Sequence, residues 1–132
     1  MRSKISIAFE KCKKEKRSAL ITYTVAGDNT KNNSLKILNA ISKHADILEL
    51  GFPHNTPIAD GGQIQGSSHR ALKNGIKLKG VFQIIKKFKK TNPNKPLIMM
   101  GYFNLVYQSG EDNFLRNCKA SGVDGLIIVD LP

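Results

Sequence analysis

Apolar positions along the chain switch repeatedly between two spacings. From Ser3 to Lys16, Ile5, Phe9 and Cys12 recur at the spacing of one helix face, so the pattern predicts an amphipathic opening helix. Ala19 to Ala26 (ALITYTVA) is then almost unbroken in apolar and β-branched residues and stops at Gly27-Asp28. A strand buried on both faces of a parallel sheet has this pattern. Asn32-Asn33-Ser34 offers capping side chains, and Leu35, Leu38, Ile41 and Ala45 follow at helical spacing.

The same unit recurs. Asp46 to Gly51 (DILELG) reads as a second strand, and Phe52 to Gly62 as a long loop punctuated by proline and glycine. A short helix is expected over Gln63 to Lys73, stopped by Asn74-Gly75, and another carries Val81, Ile84, Ile85 and Phe88. Asn92-Pro93-Asn94 turns the chain into a third strand, Leu97 to Tyr102. Gly110 then opens a helix bearing Phe114, Leu115 and Cys118, Ser121-Gly122 breaks it, and Gly125 to Asp130 is the fourth strand.

Such alternation predicts right-handed βαβ units around a parallel sheet. The 132 residues suffice for one domain. A complete (β/α)8 barrel needs about 250 residues, and four strands alone leave both sheet edges unpaired. The expectation is therefore α/β: the N-terminal half of a TIM barrel, residues 1–132 forming one partial domain of four strands, flanking helices and an extra N-terminal helix.

Composition changes this picture little. Hydrophobic residues make up 40% and charged residues 23%, values of a folded domain. No apolar run approaches the ~18–20 residues of a membrane span. The basic start is interrupted by Glu10 and Lys11, unlike a secretory signal, which makes the cytoplasm the default location. Cys12 and Cys118 fall among apolar helical positions and read as buried thiols. His44, His54 and His69 lack metal-ligand spacing, so no metal site is expected.

The net charge of +11 invites a nucleic-acid reading. The lysines, however, cluster late in two helices, at Lys11, Lys13, Lys14 and Lys16 and at Lys86, Lys87, Lys89 and Lys90. They suit solvent faces and helix C-termini there, and no aromatic residues alternate with them to stack bases. Nucleic acid is not an expected partner.

In a parallel α/β architecture, reactive groups gather at the carboxyl ends of strands and in the loops that follow. Those places hold Tyr23 and Thr24, Glu49, Asp60, Tyr102 and Asn104, and Asp130. Along the second strand Leu48 and Leu50 alternate with Ile47, Glu49 and Gly51. If the leucines face the helices, Glu49 points into the barrel, either for chemistry or paired with a basic side chain. Asp60, in Ile58-Ala59-Asp60-Gly61-Gly62, is either a turn or helix-capping residue or a second functional carboxylate. Two carboxylates over one pocket suit acid/base work, since burial raises the pKa of one while a more solvated one stays ionised. Gly61-Gly62 lacks the context of a phosphate-binding loop.

Several blocks together carry a resemblance. Leu48-Glu49-Leu50-Gly51-Phe52-Pro53, then Pro57-Ile58-Ala59-Asp60-Gly61 with Ile64-Gln65, then Met100-Gly101-Tyr102-Phe103-Asn104, and Gly122-Val123-Asp124-Gly125-Leu126-Ile127 running into Asp130-Leu131-Pro132, closely resemble the tryptophan synthase alpha chain family. The match is collinear from about Ala19 to Pro132. It implies a TIM-barrel lyase that cleaves indole-3-glycerol phosphate to indole and glyceraldehyde 3-phosphate in tryptophan biosynthesis. Family roles carried onto this chain make Glu49 the general acid/base and Asp60 the group that assists at the indole N–H. Tyr23, Ile64, Met100, Tyr102 and Ile127 match positions that shape the indole pocket.

The resemblance also implies a partner, the beta chain, which carries pyridoxal phosphate; the alpha chain itself needs no cofactor. Both belong to an α2β2 assembly, with Pro53, Thr56, Pro57, Asn104 and Tyr107 in the expected interface. The commonest family pattern there, Pro-Phe-Ser-Asp-Pro, is replaced by Pro53-His54-Asn55-Thr56-Pro57, and Gly62 stands where proline is frequent. The family's phosphate-binding loops follow the seventh and eighth strands, outside Met1 to Pro132, so this chain alone is expected to be inactive. Two other readings stand beside this one: a non-enzymatic half-barrel that assembles through its open edges, and another phosphate-sugar enzyme of the same superfold.

Overall fold

The computed structural model describes residues 2–132. Helix α1 (Lys4–Lys14) starts at Ser3, whose hydroxyl accepts the Ser6 N–H at 3.1 Å, and ends in Lys11, Lys13 and Lys14, which complement its dipole. Strand β1 (Ile21–Val25) leads through Gly27, at φ 78°, into α2 (Lys31–Ile41). The α2 cap is Thr30, whose hydroxyl accepts the Asn33 N–H at 3.1 Å. The helix thus begins before the expected Asn32-Asn33-Ser34 cap. Ser34 lies inside it and accepts the Gly27 N–H at 3.2 Å, closing the turn. Ala45 falls beyond the helix but is buried all the same.

Strand β2 (Ile47–Gly51) is followed by the long loop and α3 (Gly62–Lys73), then α4 (Leu78–Thr91) and β3 (Leu97–Tyr102). A helix that sequence periodicity did not anticipate, α5 (Phe103–Ser109), leaves β3 without a break. Gly110, at φ 78°, separates it from α6 (Glu111–Ser121), which Gly122 ends in the left-handed conformation before β4 (Gly125–Val129). Among the described residues no helix is long and apolar enough to cross a membrane.

The four strands are parallel, in the order β1-β2-β3-β4. Leu48, Leu50, Leu97 and Met99 point outward and are fully buried with Leu38, Val81, Ile85 and Phe88 of the helical layer. Phe52, the first loop residue, joins this core against Phe114, with ring centroids 5.8 Å apart. Its ring occupies the space where a Gly101 side chain would stand, 2.2 Å from a β-carbon built there. Cys12 and Cys118 are both buried. Phe9 and Leu115 are instead about half exposed, on the outer edge of their helices' apolar faces.

Two aspartates lock the amino ends of the strands. Asp46 donates its N–H to the Leu20 carbonyl at 2.9 Å and accepts the Leu20 N–H at 2.8 Å, while Arg17 makes two 2.8 Å bonds to its carboxylate. Asp124 repeats the arrangement at Leu97, with both bonds at 2.9 Å, and is paired with Lys89 and, at 3.4 Å, with Lys4.

Candidate active site

Parallel register sorts the inward-facing side chains into rows. Tyr23, Glu49, Ile98 and Gly125 share one row, and Val25, Gly51, Met100 and Ile127 the next toward the carboxyl ends. Tyr102 is aligned with Val129 above them. Five expected site residues, Tyr23, Glu49, Met100, Tyr102 and Ile127, therefore lie on one face of the sheet. Strict alternation in strands puts them there. Ile64 is set apart, in the first turn of α3, half-buried against the core.

Glu49 is flanked by Tyr23 and Ile98 on the neighbouring strands. Among the described residues it has no hydrogen-bond or ion-pair partner, so the alternative of a basic partner finds no support. Burial alone pushes its carboxyl pKa up. The Tyr23 ring leans toward the carboxyl end, over Gly51. Burial first, and then the negative charges of Asp60 and Glu49, hold its phenol protonated far above the ordinary range. Both carboxylates thus act on one hydroxyl.

Asp60 sits on the loop between β2 and α3. Its N–H donates to the Pro57 carbonyl at 3.0 Å, a turn, and its carbonyl accepts from Gln65 Nε2 at 2.7 Å. The residue capping α3 is Gly61, and no side chain bonds to the helix start. The turn reading of Asp60 is therefore correct for its backbone and the capping reading is not. The Ala59 N–H next to it donates to Tyr102 Oη at 2.9 Å. Burial raises the Tyr102 pKa, opposed by that N–H and reinforced by Asp60 and Asp130.

A cleft of about 510 Å³ opens beside this face, with Thr56, Tyr102, Asn104, Tyr107 and Asp130 in its walls. It brings together three of the residues expected at an interface, and Tyr107 is 70% exposed. Pro57 is half-buried outside the cleft, and Pro53 is buried. A second cleft, about 470 Å³ between α4 and α6, contains no acid, histidine or cysteine and lies on the outer layer, away from the strand ends. Among the described residues no cluster of three or more His, Cys, Asp or Glu could hold a metal.

Two contributors escaped sequence reasoning. Phe52 anchors the loop in the core although it follows the strand, and His54 stacks on Tyr102 with centroids 5.1 Å apart. The Phe52 signal was available in the apolar residue opening the loop opposite Gly101. Nothing in the pattern announces the His54 contact.

The family model for the tryptophan synthase alpha chain matches residues 9–132. The tryptophan synthase alpha chain of Pelagibacter ubique is 66% identical over 130 residues, covering 98% of this chain and 49% of the relative. That of Pyrococcus furiosus is 48% identical over 117 residues, covering 89% and 47%. Among solved structures, the tryptophan synthase alpha subunit of Legionella pneumophila superposes with a TM-score of 0.95 at 36% identity, covering all of this chain and 51% of that one. The tryptophan synthase complex of P. furiosus gives 0.83 at 48% identity, covering 86% and 47%. The chain spans about half the length of the curated relatives it matches.

Proposed function

The chain belongs to the tryptophan synthase alpha chain family, and on that premise we propose that it supplies the catalytic carboxylates of a carbon–carbon lyase acting on indole-3-glycerol phosphate. The reaction is a retro-aldol cleavage. Indole carbon 3 gains a proton and becomes tetrahedral, the side-chain hydroxyl adjacent to it loses one, and the carbon–carbon bond breaks to leave indole and glyceraldehyde 3-phosphate. Glu49 in its acid form gives the first proton and as carboxylate takes the second. Asp60 stabilises the positive charge that develops at the indole N–H. Each such transfer by a placed side chain contributes about 10²–10⁴-fold.

The observation that carries this reading is Glu49: an unpartnered carboxyl on the inward face, with its pKa raised by burial alone. A group in that state holds a proton more readily than an exposed acid and gives it up again once charge builds nearby. Tyr23, Met100 and Ile127 supply the apolar wall against which a flat indole ring packs, and the cleft beside Thr56, Asn104 and Tyr107 is the side facing a beta chain. In this family pyridoxal phosphate belongs to that beta chain. We place the reaction in the cytoplasm.

The test is Glu49→Gln in the full-length protein, assayed for indole release. Loss of turnover by at least about 10²-fold, with an unchanged circular dichroism spectrum, supports the reading. Near-normal turnover overturns it.

A further inference from the structure

Beyond its anchor at Phe52, the loop that carries Asp60 is attached to the sheet through Tyr102. From Pro53 to Gly61, its backbone bonds are local: Ile58 N–H to the Thr56 carbonyl at 2.9 Å and Asp60 N–H to the Pro57 carbonyl at 3.0 Å. Gln65 adds a bond from the adjoining helix. A strand side chain holds this loop where Ala59 N–H donates to Tyr102 Oη, at 2.9 Å across 43 residues of sequence. His54, near the start of the same loop, stacks on the Tyr102 ring with centroids 5.1 Å apart and planes inclined by 29°. Tyr102 is 4% exposed.

Tyr102 is thus held at its oxygen by one end of the loop and at its face by the other. Because the oxygen accepts from Ala59, the hydroxyl proton remains available on the side of Asp60. A residue so enclosed presents little surface to a ligand. We propose that Tyr102 is a positioning residue: it fixes the turn at Ala59-Asp60 over the row containing Glu49, with His54 as its second support, rather than serving chiefly as a wall of the indole pocket. This rests on the retro-aldol reading above. A carboxylate that stabilises charge only in the transition state must be held in place beforehand, so a mobile turn lowers turnover more than substrate binding.

The test is a double-mutant cycle in the full-length protein. Tyr102→Phe keeps the ring and removes the acceptor; it is expected to lower kcat about tenfold, the effect of one lost hydrogen bond near 1.4 kcal/mol, with KM changed less than about twofold. In an Asp60→Asn background the same substitution is expected to have no further effect on kcat, because there is no charge left to place. His54→Ala is expected to give a smaller loss that likewise disappears without Asp60. Equal losses in both backgrounds, or wild-type turnover by Tyr102→Phe, overturn the proposal while leaving the retro-aldol reading in place. Wild-type turnover by Asp60→Asn overturns the proposal together with the role given to Asp60, while the retro-aldol reading still stands or falls with Glu49→Gln. Should Tyr102→Phe not fold, the His54→Ala cycle decides by the same criterion.

Discussion

The Tyr23 hydroxyl lies directly over the backbone of Gly51: a β-carbon built on Gly51 would stand 2.1 Å from the phenol oxygen and 2.7 Å from the ring carbon that bears it. The two residues are one fitted pair across neighbouring strands. Gly51→Ala is therefore expected to displace the ring, destabilise the protein by about 1–3 kcal/mol as an overpacked site does, and reduce indole release. Placed on a Tyr23→Ala background, Gly51→Ala no longer meets its three nearest contacts and is expected to change stability much less. Urea unfolding of the four proteins checks the non-additivity.

Glu49 is predicted to lower stability at neutral pH. Its folded-state pKa is raised by burial, so the protonated form is the one the fold favours. That contribution is fully present below the unfolded value of about 4.3 and is lost as pH rises through the higher folded value. Glu49→Gln, neutral throughout, is expected to have a higher urea midpoint than the parent at pH 7, and the gap should close as pH falls to about 4. An inactive and more stable variant is the expected combination.

Asp46 has the opposite sign. The hydrogen bonds from Arg17, then the Leu20 N–H, hold its carboxyl well below the usual carboxylate range. Its contribution is present above the unfolded value of about 3.9 and is lost as pH falls through the folded one. Asp46→Asn is expected to lower the urea midpoint at pH 7, and the difference from the parent should shrink progressively in acid below about pH 4.

At the other aspartate, removal of the acid and removal of the base differ. Asp124→Ala leaves the Leu97 N–H without its acceptor and the buried Lys89 ammonium with the Lys95 carbonyl but no counter-charge, a loss of about 3–5 kcal/mol for a broken buried pair. Lys89→Met leaves Asp124 still bonded to the Leu97 N–H and paired with Lys4. It is expected to be the milder of the two in thermal or urea unfolding.

Much of this was readable along the chain, and the exceptions have local causes. All four strands were legible because their apolar runs end at glycine or at a change of period. Helix α5 was not, since Phe103-Asn104-Leu105-Val106 continues β3 with no turn residue and its apolar positions extend the strand's run. The α2 cap fell to Thr30 rather than the asparagines because Ser34 is drawn inward by the Gly27 N–H. Within the site, alternation alone places Glu49, Met100 and Ile127 on one face. The support of the Asp60 turn was not readable, because the Ala59–Tyr102 bond joins residues 43 apart and depends on how a loop folds back.

The two aspartate locks have a consequence for how the sheet comes together. Each spans 26 or 27 residues and joins a strand only to its immediate successor, β1 to β2 and β3 to β4. Among the described residues the seam between β2 and β3 has no such carboxylate; there the Lys95 ammonium reaches the Ala45 carbonyl at 2.6 Å. A slip of one position would turn every inward side chain outward, and within each pair the lock opposes it. The sheet is thus two βαβ pairs, each carrying its own register lock over a short sequence separation.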